Sequence, residues 1–465
     1  MRRALVGRVL LPVHEWLKGK PTFPRLAELE RSQWWTPGRL ADHQLARLRH
    51  LLEWAHTHVP YYRAAMDAAG VRPADVQAPG DLARLPYLTR ELIQTRFDDL
   101  RARAALRGVH RRSSGGSTGT PVTVLVDMGR MGMQEAARLR AHRWFGLEPG
   151  AREIVLWGSP IEITRQDRVR GVRDRLLNSR LLSAFDMGDA ALDGHVAAIR
   201  RFRPAKLYGY ASALHLLAAH VERRGGPPPA GLRAVFTTAE PLFDFQREVI
   251  ERALGCPAAV EYGCRDGGLV ALQCPQGGLH VNAEGMVVEI ADPDDEGRGE
   301  IVLTNLDSLA FPIVRYRTGD IGSLEPGACA CGRGLPRLRS VEGRRTDFLV
   351  TPGGRMLHAL SAIYILRDSP AVREFRVVQE TIDHLTVEIV PATPVRSLQL
   401  SSPDGQALHA QFRALMGPGV EVEIRAVAEI PRTASGKFRY VESRVGQEEL
   451  ARLTAPAGGS HARGA

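Results

Sequence analysis

The segment Ser113-Ser-Gly-Gly-Ser-Thr-Gly-Thr-Pro-Val122 consists almost entirely of glycines and hydroxylated residues. Its glycines, Gly115, Gly116 and Gly119, allow backbone amides to approach an anion closely. The hydroxyl groups that can donate to phosphate oxygens belong to Ser113, Ser114, Ser117, Thr118 and Thr120. The segment therefore predicts a phosphate-binding loop. Taken alone, a plain flexible connection has the same composition.

The residues that follow this loop limit what kind of phosphate site it can be. Val122-Thr-Val-Leu-Val126 is rich in β-branched residues and predicts a strand, so the loop connects strands and does not open a long helix. The Gly-Lys-Ser/Thr ending of a Walker sequence is missing. Both features argue against a P-loop NTPase.

A second group of residues has the types and spacing of a metal site. Cys274 is followed by His280, and Cys329-Ala-Cys331-Gly332 brings two thiols into one tight turn. Three cysteines and one histidine form a closed structural zinc set. The chain has only 5 cysteines in 465 residues, which argues against a disulfide framework. The alternative is that these thiols are free and buried.

Composition and charge narrow the class of protein. A chain of 465 residues, 44% hydrophobic and 25% charged, is typical of a globular protein with two to four folding units. Its net charge of +10 is compatible with nucleic acid, anionic lipid or a polyanionic small molecule. No aromatic residue interrupts the basic stretches 101–112 and 165–180, which argues against a single-strand binding groove.

The first residues of the chain are basic and moderately apolar. The apolar stretch from Val9 to Val13 is too short for a signal-peptide core, and Pro12 and His14 interrupt it. We expect a helix packed on its own domain, with contact at a membrane surface as the alternative. No stretch is long enough to span a membrane, so we expect a cytoplasmic protein without an integral membrane segment.

Hydrophobic periodicity indicates how the first three quarters of the chain fold. Leucines from Leu40 to Leu52 repeat near 3.6 residues, and we assign residues 1–110 to a helical N-terminal part of a large domain. Between residues 111 and 342, strand-like runs such as Ile154–Trp157, Leu232–Thr238 and Met286–Ile290 alternate with helical stretches. Such alternation predicts an α/β core with largely parallel pairing.

A smaller unit begins near Gly343. Its predicted strands are Phe375–Gln379, Leu385–Val390 and Val420–Ile424, with a helix around residues 407–415. We assign residues 347–453 to a small α+β domain. The tail 454–465 has no large apolar residue and is predicted to be disordered.

Four further motifs follow the glycine-rich loop in a consistent order. They are Glu261-Tyr-Gly-Cys-Arg-Asp-Gly267, Tyr316-Arg-Thr-Gly-Asp320, Gly343-Arg-Arg-Thr-Asp347 and Pro431-Arg-Thr-Ala-Ser-Gly-Lys437. Together with the loop, this set resembles the adenylate-forming superfamily of acyl-CoA synthetases, luciferases and peptide-synthetase adenylation domains. The helical N-terminal part, Leu207-Tyr-Gly-Tyr210 and Gly278-Leu-His-Val281 are similar to phenylacetate-CoA ligases and related capsule-biosynthesis proteins.

The resemblance covers nearly the whole chain and implies a fold. We expect a large N-terminal α/β domain with a helical prelude and mixed or parallel sheets. A small, mobile α+β domain should follow it.

The resemblance also implies a nucleotide site. The loop from Ser113 to Thr120 would hold the β- and γ-phosphates of ATP. Asp320, an acceptor-only carboxylate after a Thr-Gly turn, suits both ribose hydroxyls. In the Glu261-Tyr262-Gly263 segment, Tyr262 would pack on adenine, and Asp266 would meet Mg²⁺. The family usually carries glutamate at that last position, which puts this role in question.

Three residues of the later motifs take their roles from the family. Lys437 would stabilise the negative charge that develops as the acid attacks the α-phosphate. Arg344 would contact the ribose, and Asp347 would be the hinge of the small domain. Taken singly, Lys437 is an ordinary turn lysine, and Arg344 with Asp347 an ordinary linker salt bridge.

The expected activity is an ATP-dependent acid ligase that forms an acyl-adenylate and then an acyl-CoA thioester. An aryl or arylacetic acid is favoured. By the family's pattern its pocket is lined by Tyr208, Tyr210, Thr238, Ala239 and Glu240. The alternatives are an adenylyltransferase, an amide or ester ligase of polysaccharide biosynthesis without CoA, and a nucleotide- or nucleic-acid-binding scaffold. We expect no nucleic-acid partner, and either a monomer or a homodimer.

Overall fold

The structure is a computed structural model that describes most of the chain. The described residues are 2–113, 122–157, 173–184, 187, 189–344, 348–353, 356–358, 362–363, 365–366, 369, 371–392, 403–431 and 438–445. Several residues from the sequence analysis lie outside these ranges: 114–121 of the glycine-rich segment, 165–172 of the second basic stretch, 345–347 with Asp347, 432–437 with Lys437, and the tail 454–465. Arg344 is described by its backbone alone.

The described chain forms two compact units. The first is built on Met1–Glu342 and the second on Gly343–Thr433. The first unit contains a helical layer and one large sheet, and the second contains a smaller sheet with its own helix.

Helices dominate the beginning of the first unit. They are α1 (Arg2–Leu5), α2 (Leu11–Leu17), α3 (Thr22–Ser32), α4 (Pro37–His58), α5 (Pro60–Ala69), α6 (Arg90–Thr95) and α7 (Phe97–Leu100). A π-helical turn, Val6–Leu10, joins α1 to α2, and short 3₁₀ helices cover Pro73–Asp75 and Pro79–Arg84. Among the described helices, none combines the length and the apolar character that crossing a bilayer requires.

The longest of these helices, α4, shows why this part of the chain is helical. Thr36 caps its start by accepting a hydrogen bond from the Arg39 amide, and Pro37 occupies the first helical position. Its apolar stripe, which includes Leu48 and Leu52, is fully buried against the sheet residues Val287, Ile313 and their neighbours. The predicted helical stripe from Leu40 to Leu52 is therefore confirmed.

The glycine-rich loop spans the two strands of a hairpin. Strand β1 (His110–Ser113) pairs antiparallel with β2 (Thr123–Val126), and Ser113 lies opposite Thr123. The strand expected after the glycine-rich segment is present, and residues 114–121 between the two strands lie outside the described residues.

The large sheet of the first unit has eleven described strands. They are β3 (Glu153–Trp157), β4 (Ser179–Ser183), β5 (Lys206–Tyr210), β6 (Ala234–Thr238), β7 (Ala258–Cys264), β8 (Gly268–Gln273), β9 (Leu279–Val281), β10 (Met286–Ala291), β11 (Gly299–Asn305), β12 (Ile313–Glu325) and β13 (Arg337–Arg344). Their order across the sheet is β10-β11-β12-β13-β9-β8-β7-β6-β5-β3-β4.

Only half of this sheet pairs as the sequence analysis expected. Strands β4, β3, β5, β6 and β7 are parallel neighbours. From β7 onward, the β7/β8, β8/β9, β13/β9, β10/β11 and β11/β12 pairs are antiparallel. The expectation of largely parallel pairing is wrong for that half. A parallel crossover needs a dozen or more residues, whereas β7 ends at Cys264 and β8 begins at Gly268.

Helices cover both faces of the parallel half. They are α8 (Met128–Trp144), α9 (Asp189–Phe202), α10 (Ala211–Arg223) and α11 (Asp244–Leu254). Val235 on β6 packs in one core with α9, α10 and α11. The next residue, Phe236, packs on the other face with Leu147 and Ala259. This alternation places the strands between two layers, the arrangement of an α/β core.

The second unit is a small α+β fold. Its sheet has the order β18-β17-β16-β19, built from β16 (Val372–Thr381), β17 (His384–Pro391), β18 (Glu421–Ala426) and β19 (Val441–Ser443). Helix α12 (Pro403–Met416) buries Phe412 completely, and a hairpin joins β14 (Phe348–Val350) to β15 (Met356–His358). The predicted strands and helix of this unit are confirmed, and so is the fold class as a whole.

Candidate functional site

The candidate site lies where the parallel strands end. Strands β3, β5, β6 and β7 run in the same direction, so their carboxyl ends meet at one edge of the sheet. Trp157, Tyr210 and Thr238 are the last residues of β3, β5 and β6, and Glu261 lies opposite Thr238 on β7. Open α/β sheets bind their ligands at this edge.

Three aromatic rings form a wall at this edge. The Trp157 ring stacks on Tyr210 with centroids 4.3 Å apart and on Tyr208 with centroids 6.2 Å apart. The planes differ by 26° and 21°, so the three rings are nearly parallel. Tyr210 is almost fully buried. A wall of this kind suits a flat apolar group, because stacked rings prefer offset parallel contact.

A buried ion pair contacts one of these rings, Tyr208. Both carboxylate oxygens of Glu261 accept hydrogen bonds from the Arg138 guanidinium, each at 2.8 Å. The Tyr208 hydroxyl donates to the same carboxylate at 2.7 Å. Burial alone would raise the pKa of Glu261, but the charge of Arg138 and these hydrogen bonds hold it below its ordinary value. Glu261 is therefore ionised and committed to internal partners.

The end of β6 has an unusual backbone. Ala239 has φ of 68°, a left-handed conformation that is uncommon for residues other than glycine. The next residue, Glu240, accepts a hydrogen bond from the Ser212 amide at 2.9 Å and so caps the start of α10. Glu240 therefore holds a helix end, and it does so next to a strained backbone of the kind that clusters at binding sites.

Asp320 is joined to the strand β7 by a tyrosine. The Tyr262 hydroxyl donates to the Asp320 carboxylate at 2.9 Å. The expected Thr-Gly turn is not a turn in the structure, because these residues lie inside β12, where its register with β11 shifts. Gly319 has φ of 78° there, and the Asp320 amide donates to the Thr318 hydroxyl at 3.0 Å, which shapes the irregular stretch that presents the carboxylate. Burial, followed by the nearby Asp320 carboxylate, raises the pKa of Tyr262, so its hydroxyl remains a hydrogen-bond donor.

Asp266 occupies a different environment from Asp320. Its side chain is 2% exposed, and its Oδ2 accepts a hydrogen bond from the Tyr316 hydroxyl at 2.6 Å. The Arg90 guanidinium lies 3.5 Å from the same oxygen. The backbone carbonyl of Asp266 accepts from the buried Arg130 at 2.6 Å. These contacts lock the turn between β7 and β8.

The base of the glycine-rich loop lies beside that turn. Arg265 donates to the Ser113 carbonyl at 2.8 Å, and the Ser113 hydroxyl lies 2.9 Å from that of Thr123. The neighbouring Cys264 is not a reactive thiol, because burial and the Asp266 and Asp320 carboxylates raise its pKa to about 12. Three motifs distant in sequence thus meet at one place.

A separate cluster contains the four predicted metal ligands. The donor atoms of Cys274, His280, Cys329 and Cys331 all lie within 4.8 Å of one another. The Cys274 and Cys329 sulfurs are 3.8 Å apart, too far for a disulfide. Two thiolates bound to one zinc ion at about 2.3 Å, at the tetrahedral angle, are separated by about 3.8 Å. The donor set therefore fits zinc.

The surroundings of the cluster orient its histidine. His280 Nδ1 lies 3.3 Å from the Leu335 carbonyl, which leaves Nε2 facing the Cys331 sulfur at 3.2 Å. A backbone carbonyl on the outer nitrogen is the usual way a ligating histidine is held. Cys274 and His280 lie on either side of the β8–β9 turn, whereas Cys329 and Cys331 lie between β12 and β13.

Comparison with known proteins decides the family. A phenylacetate-coenzyme A ligase of Pseudomonas putida is 30% identical over 327 residues, which is 68% of this chain and 72% of that protein. The chain belongs to the phenylacetate-coenzyme A ligase family. Membership of this family makes it an enzyme of the AMP-forming acid–CoA ligase class.

Other relatives extend the match over most of the chain. A phenylacetate-coenzyme A ligase of Thermus thermophilus is 26% identical over 430 residues, 86% of this chain and 95% of that protein. Residues 349–444 match the CapK C-terminal domain. A solved structure of 2-hydroxyisobutyryl-CoA ligase with R3-HIB-AMP shares the fold with a TM-score of 0.71 at 20% identity, covering 91% of this chain and 93% of that chain.

The predicted site residues of this ligase fall into three groups. The first group lies on the described strands and the turns that follow them: Ser113, Tyr208, Tyr210, Thr238, Ala239, Glu240, Glu261, Tyr262, Gly263, Asp266 and Asp320. The four metal ligands form their own cluster. The loop residues 114–120, Asp347, Lys437 and the side chain of Arg344 lie outside the described residues.

Three residues at the site of this ligase were not predicted from the sequence. Trp157 is the last residue of a strand that was predicted from the sequence, so its position at the carboxyl end of that strand could have been predicted too. Arg138 lies in the middle of α8, and nothing in its neighbours marks it as the partner of Glu261. Arg90 follows the helix cap Thr89 and likewise has no local signal.

Proposed function

We propose that the chain is an ATP-dependent ligase that joins a carboxylic acid to coenzyme A through an acyl-adenylate. A carboxylate oxygen attacks the α-phosphorus, the bond from that phosphorus to the bridging oxygen breaks, and pyrophosphate leaves. The coenzyme A thiol then gives up its proton, its sulfur attacks the acyl carbonyl carbon, and AMP leaves with the electron pair of the broken carbon–oxygen bond.

One observation carries this proposal: the nucleotide-type motifs meet at the carboxyl edge of the sheet. Tyr262 contacts Asp320, and Arg265 contacts Ser113, where the glycine-rich loop begins. An acceptor-only carboxylate suits the ribose hydroxyls, a tyrosine ring suits adenine, and a loop of amides and hydroxyls suits phosphates. In our proposal these are the roles of Asp320, Tyr262 and the loop from Ser113 to Thr120.

The aromatic wall supports an aryl or arylacetic acid as the substrate. Trp157 and Tyr208 are half-buried and present nearly parallel rings at the edge where the acid would bind, and the buried Tyr210 stacks on Trp157. We propose that Thr238 and Ala239, at the end of the adjacent strand, complete this pocket. Glu240 supports it by capping α10 and has no direct role in binding the acid.

The Arg138–Glu261 pair makes this pocket tolerant of an anionic substrate. An unpaired Glu261 carboxylate would repel the carboxylate of the acid in a poorly screened environment. Arg138 compensates that charge at 2.8 Å on both oxygens. We infer that the pair is a positioning element, which holds Tyr208 in place and removes the repulsion.

Magnesium bound to ATP would neutralise phosphate charge and keep most of its water ligands. Direct coordination by Asp266 does not fit the described geometry, because this carboxylate is 2% exposed and already contacts Tyr316 and Arg90. The role expected for Asp266 at the metal is therefore replaced in our proposal by a structural one. Asp266 holds the turn against which the glycine-rich loop begins.

We propose that Lys437, the last residue of the Pro431–Lys437 motif, supplies positive charge at the reaction centre. A preorganised ammonium lowers the energy of the transition state in which the α-phosphate gains negative charge. We propose that Arg344 contacts the ribose and that Asp347 is the hinge of the small domain.

The four-residue cluster is proposed to bind structural Zn²⁺. Its closed set of three thiols and one imidazole leaves no position for a substrate. The loop that carries Cys329 and Cys331 also carries Arg333, which donates to Gln33 at the end of α3. Zinc would therefore hold this loop, and through it the helical layer, against the sheet. Metal analysis of protein purified without chelator should find about one zinc per chain, and its absence would remove this role.

An exchange assay tests the adenylation step. The protein is incubated with ATP, radiolabelled pyrophosphate and single acids from aryl, arylacetic, fatty and hydroxy-acid panels. We expect acid-dependent labelling of ATP, strongest with an aromatic acid, and a loss on the order of 100- to 1,000-fold in Lys437→Ala. No exchange with any acid, in protein that still binds ATP, would favour the nucleotide-binding scaffold.

The acceptor needs a separate experiment, because the match of residues 349–444 to the CapK C-terminal domain favours a second candidate. That candidate is an adenylyltransferase, or an amide or ester ligase of polysaccharide biosynthesis, that does not use coenzyme A. AMP release should require coenzyme A if the acceptor is a thiol. AMP release that responds to an amine or sugar acceptor, and is indifferent to coenzyme A, would favour the second candidate.

A further inference from the structure

The segment Arg2–Leu17 is a continuous helix with an exposed apolar face. Helix α1, the π-helical turn and α2 follow one another without a break. The exposed fractions of its large apolar side chains are 51% for Leu5, 47% for Val9, 48% for Val13, 75% for Trp16 and 72% for Leu17. Their spacing of three to four residues places them along one side of the helix.

The opposite side of this helix is the one attached to the protein. Val6 is 1% exposed. A Cβ on Gly7 would lie 2.1 Å from the Pro149 carbonyl oxygen, and a Cβ on Gly150 would lie 2.5 Å from the Gly7 nitrogen. Only glycine permits this close backbone contact. The helix therefore packs through its smallest residues, and its apolar side is turned outward.

A buried carboxylate fixes this orientation. Glu15 is 4% exposed and accepts a hydrogen bond from the Thr22 hydroxyl at 2.7 Å. Its carboxylate also lies 3.1 Å from His14 Nδ1 and 3.4 Å from the Lys20 ammonium. Turning the helix to bury its leucines would break these contacts and leave a charged group without partners, which is costly.

The charged side chains of this helix that are described as exposed all have one sign. Arg3, Arg8 and Lys18 are exposed. Glu15 is the only acidic residue between positions 2 and 20, and it is buried. An amphipathic helix with tryptophan and leucine on one side and only basic side chains in water is typical of segments that lie in a membrane interface.

We propose that the Arg2–Leu17 helix docks the protein onto an anionic lipid bilayer, with Trp16 and Leu17 inserted among the lipid headgroups. Arginine and lysine near the surface add attraction to anionic lipid. A second copy of the chain is a poorer occupant, because an isologous interface would bring the basic residues of both copies together. The helix lies on the membrane and does not cross it. This inference is independent of the ligase activity.

Vesicle flotation of the full chain tests this inference. The vesicles are phosphatidylcholine alone, or phosphatidylcholine with about one-third phosphatidylglycerol. We expect binding to the anionic vesicles that salt weakens, and little binding to the neutral ones. Trp16→Ser combined with Leu17→Ser should lower the bound fraction on the order of tenfold, since two large apolar side chains no longer enter the interface.

The matched control is Trp34→Ser combined with Leu324→Ser. It removes one tryptophan and one leucine that are 56% and 43% exposed elsewhere in the first unit, and it should bind vesicles like the wild type. Unchanged unfolding midpoints in both double variants show that neither result comes from misfolding. Three results would overturn the inference: no binding to anionic vesicles, equal binding to neutral ones, or a Trp16/Leu17 variant that only converts a dimer into a monomer in light scattering.

Discussion

Replacing Arg138 with methionine removes the ion-pair partner of Glu261 while keeping a side chain of similar length. In the wild type, Arg138 donates to both oxygens of a carboxylate that is 5% exposed. Breaking a buried pair by deleting one partner costs about 3–5 kcal/mol, because the remaining charge is left without compensation. Arg138 itself is 30% exposed, so we expect the lower end of that range, about 3 kcal/mol.

The loss should depend on pH in a defined direction. The pKa of Glu261 in the wild type lies below its ordinary value of about 4.3. The ion pair therefore stabilises the fold fully at pH values above this ordinary pKa. That stabilisation is lost only as the pH falls through the lowered pKa. In Arg138→Met the largest remaining influence is burial, which raises the pKa of Glu261. The variant can then protonate Glu261. The stability difference between the two proteins should therefore shrink from about pH 8 to about pH 4.

Urea unfolding followed by tryptophan fluorescence measures this difference. All 6 tryptophans lie before residue 158, so the signal reports the first unit. The matched control is Arg252→Met, which breaks a similar two-bond pair with Glu222 on the surface, where the side chains are 58% and 43% exposed. That control should lose much less stability than Arg138→Met, because solvent screens an exposed ion pair. An Arg138→Met loss no larger than the control, or one that stays constant with pH, would refute the reasoning.

Three further changes test other parts of the molecule. Asp320→Asn weakens an acceptor-only carboxylate, so the KM for ATP in the exchange assay should rise on the order of tenfold, and an unchanged KM would separate Asp320 from the ribose. Cys274→Ser should abolish stoichiometric zinc in metal analysis and lower the unfolding midpoint, while Cys256→Ser should keep the metal; retained zinc in the first variant would contradict the ligand set. Tyr316→Phe removes the hydrogen bond to Asp266 and should cost about 2 kcal/mol of unfolding free energy, whereas no loss would show that Arg90 alone satisfies that carboxylate.

Three of the acidic residues near the site contact other groups of the protein. Glu240 caps a helix, Glu261 holds Tyr208, and Asp266 locks a turn. Each is ionisable and was predicted from the sequence to lie at the site, yet each is bound to another group of the protein. Asp320 is half-buried within β12, and in our proposal its carboxylate, which accepts a hydrogen bond from Tyr262, also binds the ribose. A perturbed or buried carboxylate near a site is therefore as often a positioning group as a ligand-binding one.

Much of this arrangement was accessible from the sequence. The leucine stripe of α4, the strand after the glycine-rich loop and the small α+β unit follow from hydrophobic periodicity, which reflects one buried face. The zinc set follows from ligand types and spacing, and its four donor atoms do come together. The antiparallel half of the sheet did not follow, because a strand pattern carries no direction; the short connection between Cys264 and Gly268 was the available signal.

The sequence by itself determined which chemical groups exist and which faces of the helices and strands are apolar. The hydroxyl- and glycine-rich loop, the three thiols with one imidazole and the ordered motifs are properties of residue type and spacing. Only the tertiary structure decided which partners those groups meet. Arg138 and Glu261 are 123 residues apart, and the Arg2–Leu17 helix turns Leu5, Trp16 and Leu17 outward because Gly7 and Glu15 pack inward. Such pairings depend on long-range packing, for which local sequence provides no signal.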